Sequence, residues 1–435
     1  MARKPTLQEI FVDHFDGVMS SDRLSAPQIK AAHAIMRCRS EALGGHEQRC
    51  PEGHYSRIQH HSCKHRSCPC CAERAKQRWL EQERGRLLPC DHFHVIFTVP
   101  HELLELWRYN RRVFAACLFD ASRDTLLQLL GQDRHLGATP GIVLALHTWG
   151  RTLSPHPHVH ALVTAGGLTS RGQWREVRGD YLVPAAVIKA VYRGILLSRL
   201  NEALEAGRLR APAGQDDRSV RRTFAAAAAK GWNVRIQSRY GHGKGVALYL
   251  SRYVAGGPIA NTRALSVKDG HVRFRYRDHR DGKQKTRRLA AGEFIRQLLW
   301  HVPEPGQHLV RHVGLYAHAA RRKRAQCREQ LGATVPELPA GAVAISWKEY
   351  LVSIGKADLV CCPQCGRELV EGQAIPPRPG WKQNSNRRRS TGAAMREAGA
   401  QPVVEPAPLE PSLSHRDLAT PVGASLFLAA RGPVN

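Results

Sequence analysis

"SPHPHVHALVTAGG", residues Ser154 to Gly167, sets histidines at every second position and then runs into an apolar segment. A repeat of two is that of a β-strand, so His156, His158 and His160 would project from one face. The flanking residues are apolar, which places the strand in the interior, where neutral imidazoles are costly unless each nitrogen finds a partner. A metal ion is such a partner. Two histidines leave coordination positions open, the pattern of a catalytic ion, and a phosphate oxygen can fill them.

Working outward, "GIVLALHTWG" (Gly141 to Gly150) is a second strand separated from the first by a short turn, so the two form a hairpin. "HFHVIFTVP" (His92 to Pro100) is a further buried strand, followed by a long helical stretch from about His101 to Leu130. "PAAVIKAVYRGILLSRLNEAL" (Pro184 to Leu204) is a helix and "WNVRIQS" (Trp232 to Ser238) a strand. The Gly-rich turn "GHGKG" then leads into "VALYLSRYVA", which has helical spacing. Downstream, "VRFRYRDHRDGKQKTRRL" reads as a basic β-hairpin turning at Asp281-Gly282, and "AAGEFIRQLLWHV" and "GLYAHAARRKRAQCREQL" as helices. From about Pro376 the chain is rich in Pro, Ala, Arg and Ser without periodicity, the composition of a disordered tail. The class is α+β.

Lys and Arg number 65 against 37 Asp and Glu, a net charge of +28 over 435 residues. A field of that sign draws polyanions, and nucleic acid is the leading partner. No apolar run of about 18 residues and no apolar leader appears, so the reading is a cytoplasmic protein without a membrane role.

Near the N-terminus, "SAPQIKAAHAIMRCRSEAL" has a Ser25 cap, an early Pro27 and helical spacing. It leads to "CPEGHYSRIQHHSCKHRSCPCC", which holds Cys50, Cys63, Cys68, Cys70 and Cys71. In a reducing compartment such a cluster indicates metal rather than disulfides. Cys50-x3-His54 and Cys63-x4-Cys68-x2-Cys71 offer two short pairs, and zinc takes four tetrahedral thiolate and imidazole ligands. Cys50, His54, Cys68 and Cys71 form the assigned set, with Cys63 able to replace His54. Cys362-x2-Cys365 is a lone pair, either half of a second small ribbon or without a role, and Cys38, Cys90, Cys117 and Cys327 read as core thiols. The basic helix "AERAKQRWLEQERGRLL" presents Arg and Lys as a solvated face or to DNA.

"ALYLSRYVAG" supplies a candidate nucleophile for the histidine site. Tyr249 and Tyr253, at i and i+4, share one face of a helix, where tyrosines could also simply pack. Taken with the histidines, they favour attack on a phosphodiester. Lys244 and Arg252 beside them, and Arg275 and Arg277 on the basic hairpin, are candidate DNA contacts.

Together "HTWGRTLSPHPHVHALVTAGG", "YLSRYVAGGPIANTRAL", "FHVIFTVP" and "LGGHEQRC…SCKHRSCPCC" resemble the insertion-sequence-91 family of rolling-circle transposases, members of the HUH endonuclease superfamily. Four motifs in the family's order, spread over residues 10 to 330, carry the resemblance. It implies a nuclease domain with a central antiparallel sheet flanked by helices, preceded by a helical and zinc-binding N-terminal module. It implies His158 and His160 as ligands of a divalent cation, and Tyr249 and Tyr253 as nucleophiles that become joined to the 5′ phosphate of single-stranded DNA; His147 on the preceding strand and His156 are the candidates for a third ligand, and phosphoryl transfer points to Mg2+ or Mn2+ as the ion. The domains expected are 1–88 (helical, zinc-binding), 89–260 (nuclease), 261–375 (basic hairpin and helical, DNA-binding) and 376–435 (tail). One departure stands out: the family's first zinc pair is Cys-x2-Cys before Gly-His, whereas "CPEGH" lacks the second cysteine, so either His54 or Cys63 substitutes or the site is weakened. Rival readings are a replication initiator or relaxase of the same chemistry, and a non-catalytic zinc-containing DNA-binding regulator.

Overall fold

A computed structural model describes residues 3–241, 251, 257–278, 281–333, 346–353 and 355–378. Its organising element is a six-stranded sheet. It is built from β3 (His92–Thr98), β4 (Thr139–Trp149), β5 (Pro155–Leu168), β6 (Trp174–Glu176), β7 (Val234–Ile236) and β11 (Val310–Gly314). The order is β11-β4-β5-β3-β7, with β6 paired to β5 and every pairing antiparallel. The hairpin expected from sequence is therefore the centre of the sheet. His147 faces His158 across the β4–β5 ladder, and Ile96 and Thr98 of β3 face His160 and His158.

Strand alternation gives this sheet two unlike faces. Phe93, Val95, Phe97, Ile142, Leu144, Leu146, Val159, Ala161 and Val163 point one way into the largest core. That side is covered by α4 (Leu104–Tyr109), α5 (Arg111–Leu130), α6 (Ala185–Glu205) and α7 (Asp217–Ala228). The other face carries the histidines, together with a smaller core of Val143, Ala145 and Leu162. Leu80 of α3 (Ala72–Arg86) and Cys327 of α9 (Arg321–Gln330) pack on that core.

Among the described residues there are also two smaller three-stranded sheets. The first pairs β1 (Gly45–Arg49) with β2 (Ser56–His60) and with β12 (Val370–Ile375). The second is β8 (Ala264–Lys268), β9 (His271–Arg277) and β10 (Gln284–Ala290), the expected basic hairpin with a third strand added. Its inner residues Val272, Phe274 and Leu289 join a core with α1 (Leu7–Ser21), α2 (Ala26–Arg37) and α8 (Ala291–Leu299). α1 opens with a Thr6–Glu9 capping box and α2 with a Ser25–Gln28 one, the latter at the cap expected from sequence. A last short helix, α10, is Trp347–Ser353.

Two sequence expectations are corrected. The stretch from His101 to Leu130 breaks at Asn110, whose side chain donates to the carbonyls of Leu106 and Arg210 and accepts from the Arg210 amide. "GLYAHAARRKRAQCREQL" is not one helix: Gly314 ends β11 at φ +59, a single 3-10 turn spans His318–Ala320, and the α-helix starts at Arg321. Beside these, α7 is a helix for which no expectation was stated, although Val220, Phe224 and Ala227 recur at helical spacing and form its buried stripe. No helix among the described residues is long and apolar enough to cross a membrane. The expected tail from Pro376 lies almost wholly outside the described residues, which end at Arg378.

Candidate metal centres

The histidine site is a product of strand register. His147 and His158 are opposite one another on adjacent strands, and His160 is the next residue on the same face, so their rings converge. Ring centroids are 4.0 Å apart for His147 and His160, 4.8 Å for His158 and His160, and 5.1 Å for His147 and His158. One nitrogen from each of the three lies within 4.8 Å of the others. His156 shares the face, with its ring 5.0 Å from that of His158, but is not one of the trio.

The tautomers of His158 and His160 are set by hydrogen bonds. His158 Nδ1 is 2.6 Å from the carbonyl oxygen of His156, so Nδ1–H donates and the lone pair is on Nε2. His160 Nδ1 is 2.7 Å from Nε2 of His94, whose own Nδ1 is 3.1 Å from Oε1 of Gln237; Tyr240 O–H donates to that same oxygen at 2.6 Å. Because the amide oxygen accepts, His94 Nδ1 carries its proton and His94 Nε2 accepts from His160 Nδ1–H. The lone pair of His160 is thereby turned to Nε2. Burial holds His147 and His160 well below the ordinary imidazole range, and lowers His158 to about 3 and His94 to about 4. Neutral imidazoles are the ligand form, and the group hydrogen-bonded to the second nitrogen of such a histidine, here the His94 imidazole behind His160, orients its ring. His94 escaped the sequence reading, although its signal was present in His92-x-His94, another alternating pair on a strand.

The turn that launches β5 is clamped from outside. Leu153, fully buried at φ +70, accepts from His301 Nε2 at 3.1 Å, and Thr148 Oγ1 lies 3.0 Å from His301 Nδ1. Arg263 and Arg287 donate to the carbonyls of Arg151 and Thr152 at 2.7 and 2.8 Å, tying the basic sheet to the same turn. On that sheet Arg273, Arg275 and Arg277 alternate with inward Val272 and Phe274 and are exposed, as is Arg288 opposite Arg273. Tyr249, Tyr253, Lys244 and Arg252 lie outside the described residues.

The cysteines fall into two groups that divide the set assigned from sequence. Cys63, Cys68 and Cys71 gather with Cys38; Cys50 and His54 gather with Cys362 and Cys365. The reason is the β1–β2 hairpin. Cys50 and His54 occupy its turn, whereas Cys38 precedes β1 and Cys63 follows β2 at its open end. Five residues of strand at about 3.3 Å each put roughly 16 Å between the two ends, too far for one ion.

In the first group, Cys71 Sγ is 3.6 Å from both Cys38 and Cys63 Sγ. Ligands about 2.3 Å from a tetrahedral zinc sit about 3.7 Å from one another, so the spacing fits. Hydrogen bonding with Cys63 pushes the Cys38 thiol up, and hydrogen bonding from Cys38 holds those of Cys71 and Cys63 down. Cys38, read as a core thiol, is thus part of the cluster, and no local spacing announces it. The cluster also packs on the α1–α2 core.

Comparison with known proteins gives two family matches: residues 10–99 match "Transposase zinc-binding domain" and residues 141–324 match "Putative transposase". A protein of Sinorhizobium fredii called "Putative transposase y4qJ" is 33% identical over 393 residues, 87% of this chain and 99% of that one. The transposase for insertion sequence element IS801 of Pseudomonas savastanoi pv. phaseolicola is 28% identical over 356 residues, 80% of this chain and 84% of that one. Among solved structures, the metal-bound conjugative relaxase TrwC in complex with OriT DNA shares 22% identity over 25% of this chain and 42% of its own, with a TM-score of 0.21. TrwC complexed with a 27-mer DNA comprising the recognition hairpin and the cleavage site shares 16% over 37% and 71%, also with a TM-score of 0.21.

Proposed function

The chain belongs to the insertion-sequence-91 family of transposases, and we propose that it moves its element by nicking and rejoining single-stranded DNA with a tyrosine nucleophile at a divalent-metal site. The observation that carries this reading is the convergence of His147, His158 and His160 on one face of the central sheet.

In this mechanism the three histidines present neutral lone pairs to Mg2+ or Mn2+. The bound ion would polarise the scissile phosphate and offset charge as it builds. His94, Gln237 and Tyr240 keep the ring of His160 in place. Tyr249 or Tyr253 brings its phenolic oxygen to phosphorus in line with the departing 3′ oxygen. A P–O bond to tyrosine forms as the phenol gives up its proton, the bond to the 3′ oxygen breaks, and that oxygen takes up a proton and leaves as a hydroxyl. The 5′-phosphotyrosine conserves the bond, so a later attack by a 3′ hydroxyl rejoins DNA and frees the tyrosine without ATP. The second tyrosine can act on target DNA in the same way.

Arg275 and Arg277, with Lys244 and Arg252, hold the strand by charge, as single-stranded DNA requires. In this division of labour residues 89–260 perform the chemistry, 1–88 carry the structural zinc, 261–375 grip DNA and 376–435 add unstructured charge. The setting is the bacterial cytoplasm, at the nucleoid.

The test is a labelled single-stranded oligonucleotide carrying the element's end, incubated with protein and Mn2+ and resolved under denaturing conditions. A protein-linked band is expected, lost in Tyr249→Phe/Tyr253→Phe and in His158→Ala. A band that survives the double tyrosine substitution overturns the assignment of the nucleophile, and no band from the parent protein favours a regulator.

A further inference from the structure

We propose that Cys50, His54, Cys362 and Cys365 bind a second structural zinc ion and close a zinc ribbon from two segments more than 300 residues apart in sequence. The transposase zinc-binding match spans residues 10–99 and so contains only the first two of these ligands. The proposal is independent of the nuclease reading, since neither its residues nor its test involve DNA.

The two segments are built alike. "CPEGH" and "CPQCG" each begin Cys-Pro. The amide of Cys50 donates to the carbonyl of Tyr55 at 2.8 Å, and that of Cys362 to the carbonyl of Arg367 at 2.7 Å, five residues on in each case. Both turns close on a left-handed glycine, Gly53 at φ +75 and Gly366 at φ +73, a conformation other residues adopt at a cost. Where "CPEGH" lacks the second cysteine of a Cys-x2-Cys pair, His54 supplies the ligand on that side and Cys362-x2-Cys365 provides the facing pair.

The geometry suits the ion. Cys50 Sγ is 3.5 Å from Cys365 Sγ and 3.9 Å from His54 Nδ1, and all four ligand atoms lie within 4.8 Å of one another. Three sulfurs and one imidazole nitrogen at these separations match the edges of a tetrahedron about 2.0–2.3 Å from its centre. Cys50 and Cys362 are buried with Leu369 in a core of their own, too small to hold the ribbon by apolar contact.

The surroundings are shaped for the distant segment. β12 pairs along β1 from Gly45↔Ile375 to Arg49↔Val370. A Cβ on Gly44, itself at φ +64, would stand 2.5 Å from the Ile375 carbonyl oxygen, and one on Gly372 would stand 2.7 Å from Oε2 of Glu47. Arg57 donates to the carbonyls of Asp358 and Leu359, and Arg367 pairs with Glu52 across the two turns.

Zinc per chain, measured by elemental analysis of the desalted full-length protein, tests this. Cys362→Ser/Cys365→Ser should lose one zinc per chain relative to the parent, and Cys361→Ser, beside the site but not a ligand, should lose none. A double variant with the parent's zinc content overturns the proposal. Should that variant fail to fold, His54→Cys decides: zinc content is expected to be unchanged while the visible bands of the cobalt-substituted protein move as nitrogen is replaced by sulfur. Cobalt bands that do not move overturn it.

Discussion

The histidine site and the cysteine sites both gather soft ligands, yet they are assembled by opposite means. His147, His158 and His160 sit on neighbouring strands of one ladder, so backbone register alone places them. The cysteine groups draw on the chain before β1, the β1–β2 turn, the chain after β2 and the loop before β12, so their ligands stand in turns and loops at strand ends rather than at facing positions of one ladder. A site built on a sheet can exist before its ion arrives. A site built from loops depends on its ion for its shape, and the free energy of binding is then part of the free energy of folding. Removing metal should therefore separate the two regions.

The largest effect is expected at Cys38. Cys38→Ser leaves a three-thiolate site where the α1–α2 core meets the Cys63–Cys71 loop, and apparent zinc affinities worth about 10–16 kcal/mol in small domains show how much stability depends on such a site. Cys38→Ser should lose one zinc per chain and lower the thermal midpoint, whereas Cys90→Ser, at a buried cysteine away from both clusters, should keep its zinc. If the two variants retain equal zinc, the first group is a set of packed thiols. His158→Ala, by contrast, should cost catalytic-metal binding with little change in the thermal midpoint, because its strand is held by partners on both sides.

This contrast also explains what was legible in the sequence. His158 and His160 could be read because a strand's repeat is local, and His147 because the preceding apolar run announced the partner strand. The cysteine partition could not be read. Cys50-x3-His54 and Cys68-x2-Cys71 look like two halves of one site until the β1–β2 hairpin is known to separate them. Cys38 has no neighbour in sequence to mark it, and Cys362-x2-Cys365 finds its partners only through β12. His94 carries a local signal too, since it alternates with His92 on a strand, but that strand's apolar residues account for its burial without a ligand. The fold class, the central hairpin, the capped α2 and the basic β9–β10 hairpin followed from periodicity and turn residues, whereas β1, β2, β8, β11 and β12 are short strands whose pairing is set by tertiary contact.

A smaller effect is expected behind the metal. His94→Ala removes the group that orients His160, and loss of such a partner typically costs about 10–100-fold in metal affinity. Metal titration of the histidine site should show this as a rise in Kd, and His94→Asn, whose side-chain oxygen can still accept a hydrogen bond, should recover part of it. Equal affinity in His94→Ala and the parent would mean that the ladder positions His160 unaided, which would make the site still more a property of the sheet.

The smallest effect concerns a histidine that packs without belonging to either kind of site. His301 donates Nε2–H to the Leu153 carbonyl and accepts at Nδ1 from Thr148, and burial lowers it to about 4. Unfolded, it would titrate near the ordinary value of about 6.5. Between these values the unfolded chain binds the proton and the folded one does not, so this histidine's contribution is complete above about pH 6.5 and falls away as the pH drops towards 4, with a slope of about 1.4 kcal/mol per pH unit. His301→Asn should flatten the acid limb of the stability curve by up to one proton while leaving metal content unchanged. Loss of metal in that variant would tie the β4–β5 turn to the site and blur the line between a histidine that ligates and one that only packs. An unchanged acid limb would mean that His301 takes up its proton in the folded protein as readily as in the unfolded chain.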